Sequence, residues 1–363
     1  MRVDVPVRID IRRFCSIIIP LCLRTFAVGH KKGATMFENE LAVGRHAVKE
    51  AMRITRAIQS ELAREDAITK ADKSPVTVAD FSAQAVICRI LSDHFPQIPI
   101  VAEERSDVLK KPEHREILAK ILHYINKDAQ VREILNKDNL FPSIDLGGCE
   151  PGGGTFWTLD PVDGTKGFLR REQFAIALAL IVAGEVRVGI LGCPNLRIPH
   201  GPSSQGLLFF AVRGQGTHLL DVEKGETGRV RVSKITAPAQ MRFVESYVSS
   251  HSNQDMQGEI ARKLNMAREP VRMDSQVKYG VVASGNAEIY LRIPHPGTPD
   301  YREKIWDHAA GSLIVEEAGG VVSDIFGKKL DFNTGKTLKN NRGVFASVPA
   351  VHQRVIEIIS EMI

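Results

Sequence analysis

Apolar residues recur at three- and four-residue steps from Phe37 to about Leu62, through Leu41, Val43, Ala47, Val48, Ala51, Ile54 and Ile58, which is the period of one helical face. A polar, proline-bearing stretch, Lys70-Ala71-Asp72-Lys73-Ser74-Pro75, interrupts that pattern. A second amphipathic helix is predicted from about Ala79 through Phe81, Val86, Ile87, Ile90 and Leu91, until Pro96 stops it. Residues 98–102 read as a short strand running into Glu103-Glu104. Residues 106–140 are highly charged, yet Ile117, Leu118, Ile121, Leu122, Tyr124 and Ile125 keep helical spacing, so an exposed helical excursion is expected there.

Residues 147–154, rich in glycine, predict a turn, 156–159 a strand and 160–168 a loop. Two β runs, 174–182 and 186–193, are joined by Ala183-Gly184-Glu185 as a hairpin; the first is apolar throughout, as in a strand covered on both faces. A further hairpin is expected over 206–212 and 216–220. The Pro, Gly and Ser of 195–205 suggest a boundary between an N-terminal α+β lobe, 36–200, and a C-terminal α/β lobe, 201–363. The second lobe alternates: helix 253–264, strand 270–274, helix 276–283, strand 287–293, helix 306–318, strand 321–324, strand 343–347 and helix 350–362. Gly319-Gly320 would end the helix before them. Together these elements imply an α/β fold of layered helices and mixed sheets.

Composition changes this picture little: 43% hydrophobic and 25% charged residues describe an ordinary globular chain. Charge is more informative once located. Residues 1–35 hold seven Lys/Arg and two Asp, a net +5 equal to that of the whole chain, so the remainder is neutral. A nucleic-acid-binding body would carry its basic residues on the fold, so no nucleic-acid partner is expected. Five cysteines, odd in number and without a CxxC pair, argue against a disulfide framework or a thiolate zinc site and suit a reducing compartment. Residues 14–28 are apolar but broken by Pro20 and Arg24, too short for a membrane span of ~20 residues. The basic leader allows mitochondrial or plastid targeting; otherwise 1–35 is an extension without fixed structure, or Met36 is the true start, and a cytoplasmic protein is expected.

The sharpest chemical signal is Leu159-Asp160-Pro161-Val162-Asp163-Gly164-Thr165. Two carboxylates three residues apart after a strand, with Pro and Gly shaping the turn, can enter one small volume, and hard oxygen donors suit Mg²⁺. A plain turn uses the same residue types. Glu103 follows an apolar strand, where a solvated strand end is the ordinary alternative. Asp307 in Ile305-Trp306-Asp307-His308-Ala309-Ala310-Gly311 and Asp80 after Ser74-Pro75-Val76-Thr77-Val78-Ala79 could each be helix caps.

Taken in order, S-P-V-T-x-A-D, V-A-E-E, L-D-P-x-D-G-T and I-W-D-H-A-A-G resemble the pattern of the lithium-sensitive, inositol-monophosphatase-like phosphatases. Further segments resemble the 3′(2′),5′-bisphosphate nucleotidase branch: Asp72-Lys73-Ser74-Pro75-Val76-Thr77, Gly164-Thr165-Lys166-Gly167-Phe168-Leu169-Arg170, Val271-Arg272-Met273-Asp274-Ser275-Gln276, Tyr290-Leu291-Arg292 and Tyr301-Arg302-Glu303-Lys304-Ile305-Trp306-Asp307-His308. The resemblance runs from about Glu38 to the C-terminus and implies a two-lobed inositol-monophosphatase-like fold. It implies Mg²⁺ as cofactor, two or three ions per site: Glu103, Asp160 and the Val162 carbonyl holding one, and Asp160, Asp163 and Asp307 a second. Asp80 and Thr165 would take the proton from the attacking water. His251, Ser275, Lys278 and Arg292, with Thr165 and Asp307, would bind the nucleotide.

The implied reaction is hydrolysis of the 3′-phosphate of adenosine 3′,5′-bisphosphate (PAP) to AMP, with its sulfated relative PAPS as a second substrate, in sulfur assimilation or PAP detoxification. Inhibition by Li⁺ and often Na⁺ is implied too. An inositol phosphate phosphatase and a non-catalytic nucleotide sensor are the alternatives, and a monomer is expected. Of the nucleotide residues, Arg292 has the best independent case, because an arginine among Ile289, Tyr290, Leu291 and Ile293 needs a partner.

Overall fold

Helix α1 (Glu38–Glu61) and helix α2 (Val78–His94) form one outer layer, and the computed structural model places their apolar faces on a seven-stranded sheet. The structure describes residues 36–61, 67–70, 75–199, 204–247 and 253–363. Within that sheet the order follows the chain: β3 (Ile100–Ala102), β4 (Thr155–Asp163), β5 (Ala175–Val182), β6 (Glu185–Cys193), β7 (Leu207–Val212), β8 (Thr217–Asp221) and β9 (Thr227–Arg229). Only the β3–β4 pair is parallel. A small hairpin, β1 (Ala67–Thr69) with β2 (Pro75–Thr77), precedes α2 and was not foreseen in the polar stretch around it.

The uninterrupted apolar run of β5 is explained by helices on both faces. Ile176, Leu178 and Leu180 join the core under α1 and α2, while Ala175, Ala177, Ala179 and Ile181 join a second core on the other side. That second core is filled by α8 (Val277–Ala283) and α9 (Ala309–Glu317). Its small residues let a helix come close: a Cβ on Gly189 would lie 2.9 Å from the Ala310 carbonyl oxygen.

A five-stranded mixed sheet covers the far side of α8 and α9, in the order β11 (Val271–Arg272), β10 (Phe243–Glu245), β12 (Ile289–Arg292), β14 (Val344–Ser347), β13 (Val321–Ser323). Helices α7 (Gln254–Lys263) and α10 (Pro349–Met362) close its outer face. The layers therefore alternate helix, sheet, helix, sheet, helix, the layered α/β class expected. In the charged excursion α3 (Arg115–Lys127), α4 (Ala129–Ile134) and α5 (Leu140–Asp145) pack Ile117, Ile121, Ile125, Val131 and Ile144 onto the first core.

Three expectations need correction. The lobe boundary at 195–205 falls inside the seven-stranded sheet, because that Pro- and Gly-bearing loop links the antiparallel neighbours β6 and β7; the chain passes to the second sheet only after Arg229. The loop expected from 160 is instead the end of β4, with a register shift between Asp160 and Asp163, followed by a one-turn helix α6 (Thr165–Leu169). The helix expected from Trp306 starts at Ala309. The expectations for residues 1–35 lie outside the described residues. No helix among those described is long and apolar enough to cross a membrane.

Candidate active site

The irregularity at the end of β4 is what turns Asp160 and Asp163 toward the same cavity. A regular strand would send residues three apart to opposite faces, and a local bulge breaks that alternation. The Val162 amide donates to Asp160 Oδ1 at 3.1 Å, fixing the tighter side of the turn. Gly164 then adopts φ +87°, and a Cβ there would meet the Ser275 Cβ at 2.7 Å, so glycine is required both for the backbone and for the approach of the second sheet. Ala102 of β3 pairs with Leu159, which sets the following residue, Glu103, beside Asp160.

Asp80 reaches this place from the first turn of α2. Its Oδ2 accepts from the Thr77 amide at 2.8 Å and the Thr77 hydroxyl at 2.6 Å, while Thr77 Oγ1 caps the Ala79 amide. The other oxygen, Oδ1, faces the Thr165 hydroxyl at 3.5 Å. Capping and chemistry therefore use different oxygens of one carboxylate. Thr165 Oγ1 also lies 3.2 Å from the Val162 carbonyl. Asp307 is not spent as a cap: the cap position of α9 belongs to His308, and Asp307 faces the cavity.

Glu103, Asp160, Val162, Asp163, Thr165 and Asp307 line one cavity of about 450 Å³, together with Ser275, Lys278 and Arg292. Asp80 stands behind Thr165. His251 lies outside the described residues. The cavity also lies beyond the carboxyl ends of β10, β11 and β12, which run parallel, and these deliver Ser246, Ser275 and Arg292.

Electrostatically the cavity has two poles. At the acidic pole, burial and then the charges of Glu103, Asp163 and Asp307 push the Asp160 carboxyl, 3% exposed, well above the ordinary carboxylate range. Asp307 is raised in the same way by burial and by Asp163. Burial lifts Asp80 to about 7 despite its bonds from Thr77. Asp163 is raised by burial, with Lys278 and the Gln276 amide (2.5 Å from Oδ2) opposing. Such a group of buried acids cannot all be ionised without a cation, and its donors are all hard oxygens. The residues therefore fit a divalent ion of the Mg²⁺ kind. A lysine ammonium already reaches part of it: Lys70 Nζ lies 2.7 Å from Glu103 Oε1 and 2.6 Å from Glu104 Oε1.

At the basic pole Arg292 ends β12 and binds Glu303 in a two-point fork, Nε to Oε1 at 3.0 Å and NH2 to Oε2 at 2.9 Å. Glu303 Oε2 also meets His308 Nε2 at 3.0 Å, and His308 Nδ1 lies 2.8 Å from the Tyr279 hydroxyl. Burial alone would raise Glu303, but Arg292 and His308 outweigh it and hold the carboxyl down at about 2. Glu303, Asp307 and His308 also converge closely enough to hold an ion. Two of the three, however, are committed to this relay, and Asp307 is the one turned to the acidic pole. Lys278 is 1% exposed, with Nζ at 3.3 Å from the Met273 carbonyl and 5.3 Å from the Tyr290 ring centre. No carboxylate among the described residues is within ion-pairing reach of it, and burial lowers it to about 8. It is a cation waiting for an anion.

The partner that Arg292 needed is thus Glu303, and neither Glu303 nor His308 had been singled out for a role. Ten residues separate Arg292 from Glu303, and nothing in the intervening sequence signals that they meet. Gln276 was missed because it works through its backbone amide.

Residues 38–363 match the inositol monophosphatase family. The chain is 43% identical over 335 residues to a 3′(2′),5′-bisphosphate nucleotidase of Schizosaccharomyces pombe, covering 88% of this chain and 94% of that one. It is 42% identical over 342 residues to a 3′(2′),5′-bisphosphate nucleotidase of Oryza sativa, with 89% and 95% covered. Among solved structures it resembles the extragenic suppressor protein suhB of Bartonella henselae, with a TM-score of 0.61, 20% identity and 90% and 100% covered. It also resembles an IMPase of Thermotoga maritima, with a TM-score of 0.60, 21% identity and 89% and 97% covered. These last two likenesses concern the fold.

Proposed function

The chain belongs to the inositol monophosphatase family, and from that premise we propose that it is a Mg²⁺-dependent 3′(2′),5′-bisphosphate nucleotidase. It removes the 3′-phosphate of adenosine 3′,5′-bisphosphate to give AMP, and acts on PAPS as well. The observation that carries this reading is the pairing of two poles in one cavity: an oxygen-rich acidic cluster where a phosphate is cleaved, and a buried unpaired Lys278 beside Arg292 where another is kept. A monophosphate has no use for the second pole.

Glu103, Asp160 and the Val162 carbonyl would hold one ion, and Asp160, Asp163 and Asp307 would hold a second. Bound there, Mg²⁺ supplies charge neutralisation at the phosphoryl and leaving oxygens and lowers the pKa of a water. The rest is done by the chain itself. Thr165 Oγ, shared between Asp80 Oδ1 and the Val162 carbonyl, can accept a proton from the attacking water while passing its own to Asp80. Asp80 can take that proton on Oδ1, the oxygen that faces Thr165, because Thr77 holds the other oxygen. Lys278 and Arg292 hold the 5′-phosphate away from the acids, and Ser275 and His251 donate to phosphate or ribose. Li⁺ and Na⁺ would inhibit by taking a Mg²⁺ position without its charge. A monomer in the cytoplasm is the simplest setting.

Parallel turnover of PAP, inositol 1-phosphate and inositol 1,4-bisphosphate, with and without Mg²⁺ and Li⁺, tests the reading. PAP should be hydrolysed fastest, only with Mg²⁺, and less with Li⁺; preference for inositol 1-phosphate would overturn it.

Lys278 adds a pH dependence. Only the ammonium form attracts the retained phosphate, so KM for PAP should stay low below about pH 8 and rise as pH climbs through that value. In Lys278→Met, KM should be high throughout, with no such rise. An equal alkaline rise in both proteins would remove Lys278 from the phosphate site.

A further inference from the structure

Two segments far apart in the chain meet at the seam between the acidic and the basic pole. From the first sheet comes the run through α6, residues 163–170, and from the second the turn 274–276, which follows β11 and leads into α8. The Gln276 amide donates to Asp163 Oδ2, and Gly164 packs on Ser275. A Cβ on Gly167 would lie only 3.2 Å from the Asp274 Cβ, so α6 sits directly on that turn. The fourth contact is an ion pair, in which the Arg170 guanidinium donates to Asp274 Oδ2 across 104 positions of sequence.

Both halves of the pair are fixed. On the first-sheet side, the Arg170 amide donates to the Lys166 carbonyl at 3.2 Å, and Gln59 Nε2 of α1 donates to the Phe168 carbonyl at 3.0 Å. Phe168 is buried edge-on against Phe174. Arg170 Nε donates to Glu172 Oε2 at 2.8 Å, which leaves the other arm of the guanidinium for Asp274. On the second-sheet side, Asp274 is 4% exposed, and its Oδ1 is buried with no hydrogen-bond partner among the described residues. Among those residues Arg170 is also the one cation within ion-pairing reach of it, so this buried carboxylate depends on Arg170.

The residue that follows needs such an anchor. Ser275 has φ +70°, in the left-handed region that a serine rarely adopts and holds only when its neighbours enforce it. That strained turn sets the start of α8: the Val277 amide donates to Ser275 Oγ at 3.2 Å, and the Lys278 amide to the Ser275 carbonyl at 3.4 Å. With Gln276 tied to Asp163 and Asp274 tied to Arg170, Ser275 and Lys278 are fixed relative to the acids from both sides of the turn. Arg170 itself does not line the cavity.

We propose that the Arg170–Asp274 pair positions the two poles: it sets the distance from the acids to Ser275 and Lys278, and with it the preference for a substrate that carries two phosphates. This rests on the nucleotidase reading above and deepens it. Arg170 is a positioning residue, since it acts through the turn at Ser275 from outside the cavity. A substrate with a single phosphate at the acidic pole is indifferent to where the basic pole stands.

The test compares PAP with 3′-AMP, which lacks only the phosphate that the basic pole keeps. For each, kcat/KM is measured in Mg²⁺ with wild type, Arg170→Met, Arg170→Lys, Asp274→Asn and the double variant Arg170→Met with Asp274→Asn. The readout is the ratio of the PAP value to the 3′-AMP value. Arg170→Met should lower that ratio about tenfold, the order expected when a bound group is moved off its partner. Arg170→Lys, which keeps a cation for Asp274, should recover part of it. Asp274→Asn should lower the ratio as Arg170→Met does, and the double variant should lower it no further, because the two act as one unit. The double variant strands no buried charge, so it reports on the pair even where Arg170→Met folds poorly. A role in stability alone would slow both substrates alike, and an unchanged ratio in Arg170→Met and in the double variant would overturn the proposal. So would single losses that multiply in the double variant, or no recovery in Arg170→Lys. Wild type separates this inference from the reading beneath it. If wild type prefers PAP to 3′-AMP and the variants keep that preference, only the positioning role falls. If wild type shows no preference, the two-pole reading falls with it.

Discussion

Asp160→Asn is expected to lower Mg²⁺-dependent PAP turnover by about a thousandfold or more, the rate equivalent of the several kcal/mol that charge stabilisation at a metal-assisted phosphoryl centre supplies. The substitution is also a clean one. Asparagine retains the Oδ1 that accepts from the Val162 amide, so the turn at the end of β4 keeps its bond. What it removes is a negative charge from a position where burial and four neighbouring carboxylates, Glu103, Asp163, Asp307 and Asp80, already resist ionisation. The metal-free variant should therefore be at least as stable as metal-free wild type, while the rise in melting temperature on adding Mg²⁺ shrinks or vanishes. Lost activity without this pair of thermal results would point to general damage. Unchanged activity would mean that Asp160 holds no ion.

That opposition between stability and activity explains why this part of the site was legible in the sequence. A fold does not gather Glu103, Asp160, Asp163 and Asp307 for its own stability, and each sits in a short segment whose residue types repeat a pattern. The contiguous Asp160-Pro-Val-Asp163-Gly-Thr165 could be read directly, although as a loop rather than a strand end, because bulges and turns draw on the same residues. Helix and strand periods likewise gave α1, α2, β5 and β6, where one face or both meet a core. They could not tell that the loop at 195–205 joins neighbours in one sheet, since a link between strands and a link between lobes look alike in composition. Least legible were contacts between distant segments made for electrostatic reasons. The Gln276 amide on Asp163, Lys70 on Glu103 and Glu104, and Glu303 between Arg292 and His308 belong to this class.

Glu303 is where the second large effect is expected. Glu303→Ala leaves Arg292 and His308 buried without their shared carboxylate, and removing one partner of a buried ion pair costs about 3–5 kcal/mol. Chemical denaturation at pH 7 should show a loss of that order. Replacing both partners, Glu303→Met with Arg292→Met, should recover most of the stability, because no charge is then stranded. It should not recover function: KM for PAP should remain high in the double variant, since the cation beside the retained phosphate is gone. The pH dependence follows from the same pair. In the folded protein Glu303 titrates near 2, against an ordinary value of 4.5, so its contribution is complete above about 4.5 and fades as pH falls toward 2. The stability gap between wild type and Glu303→Ala should accordingly be constant from pH 7 down to about 4.5 and narrow below it. A gap that stays constant to pH 2, or a double variant no more stable than Glu303→Ala, would show that Glu303 supports this region through packing rather than charge.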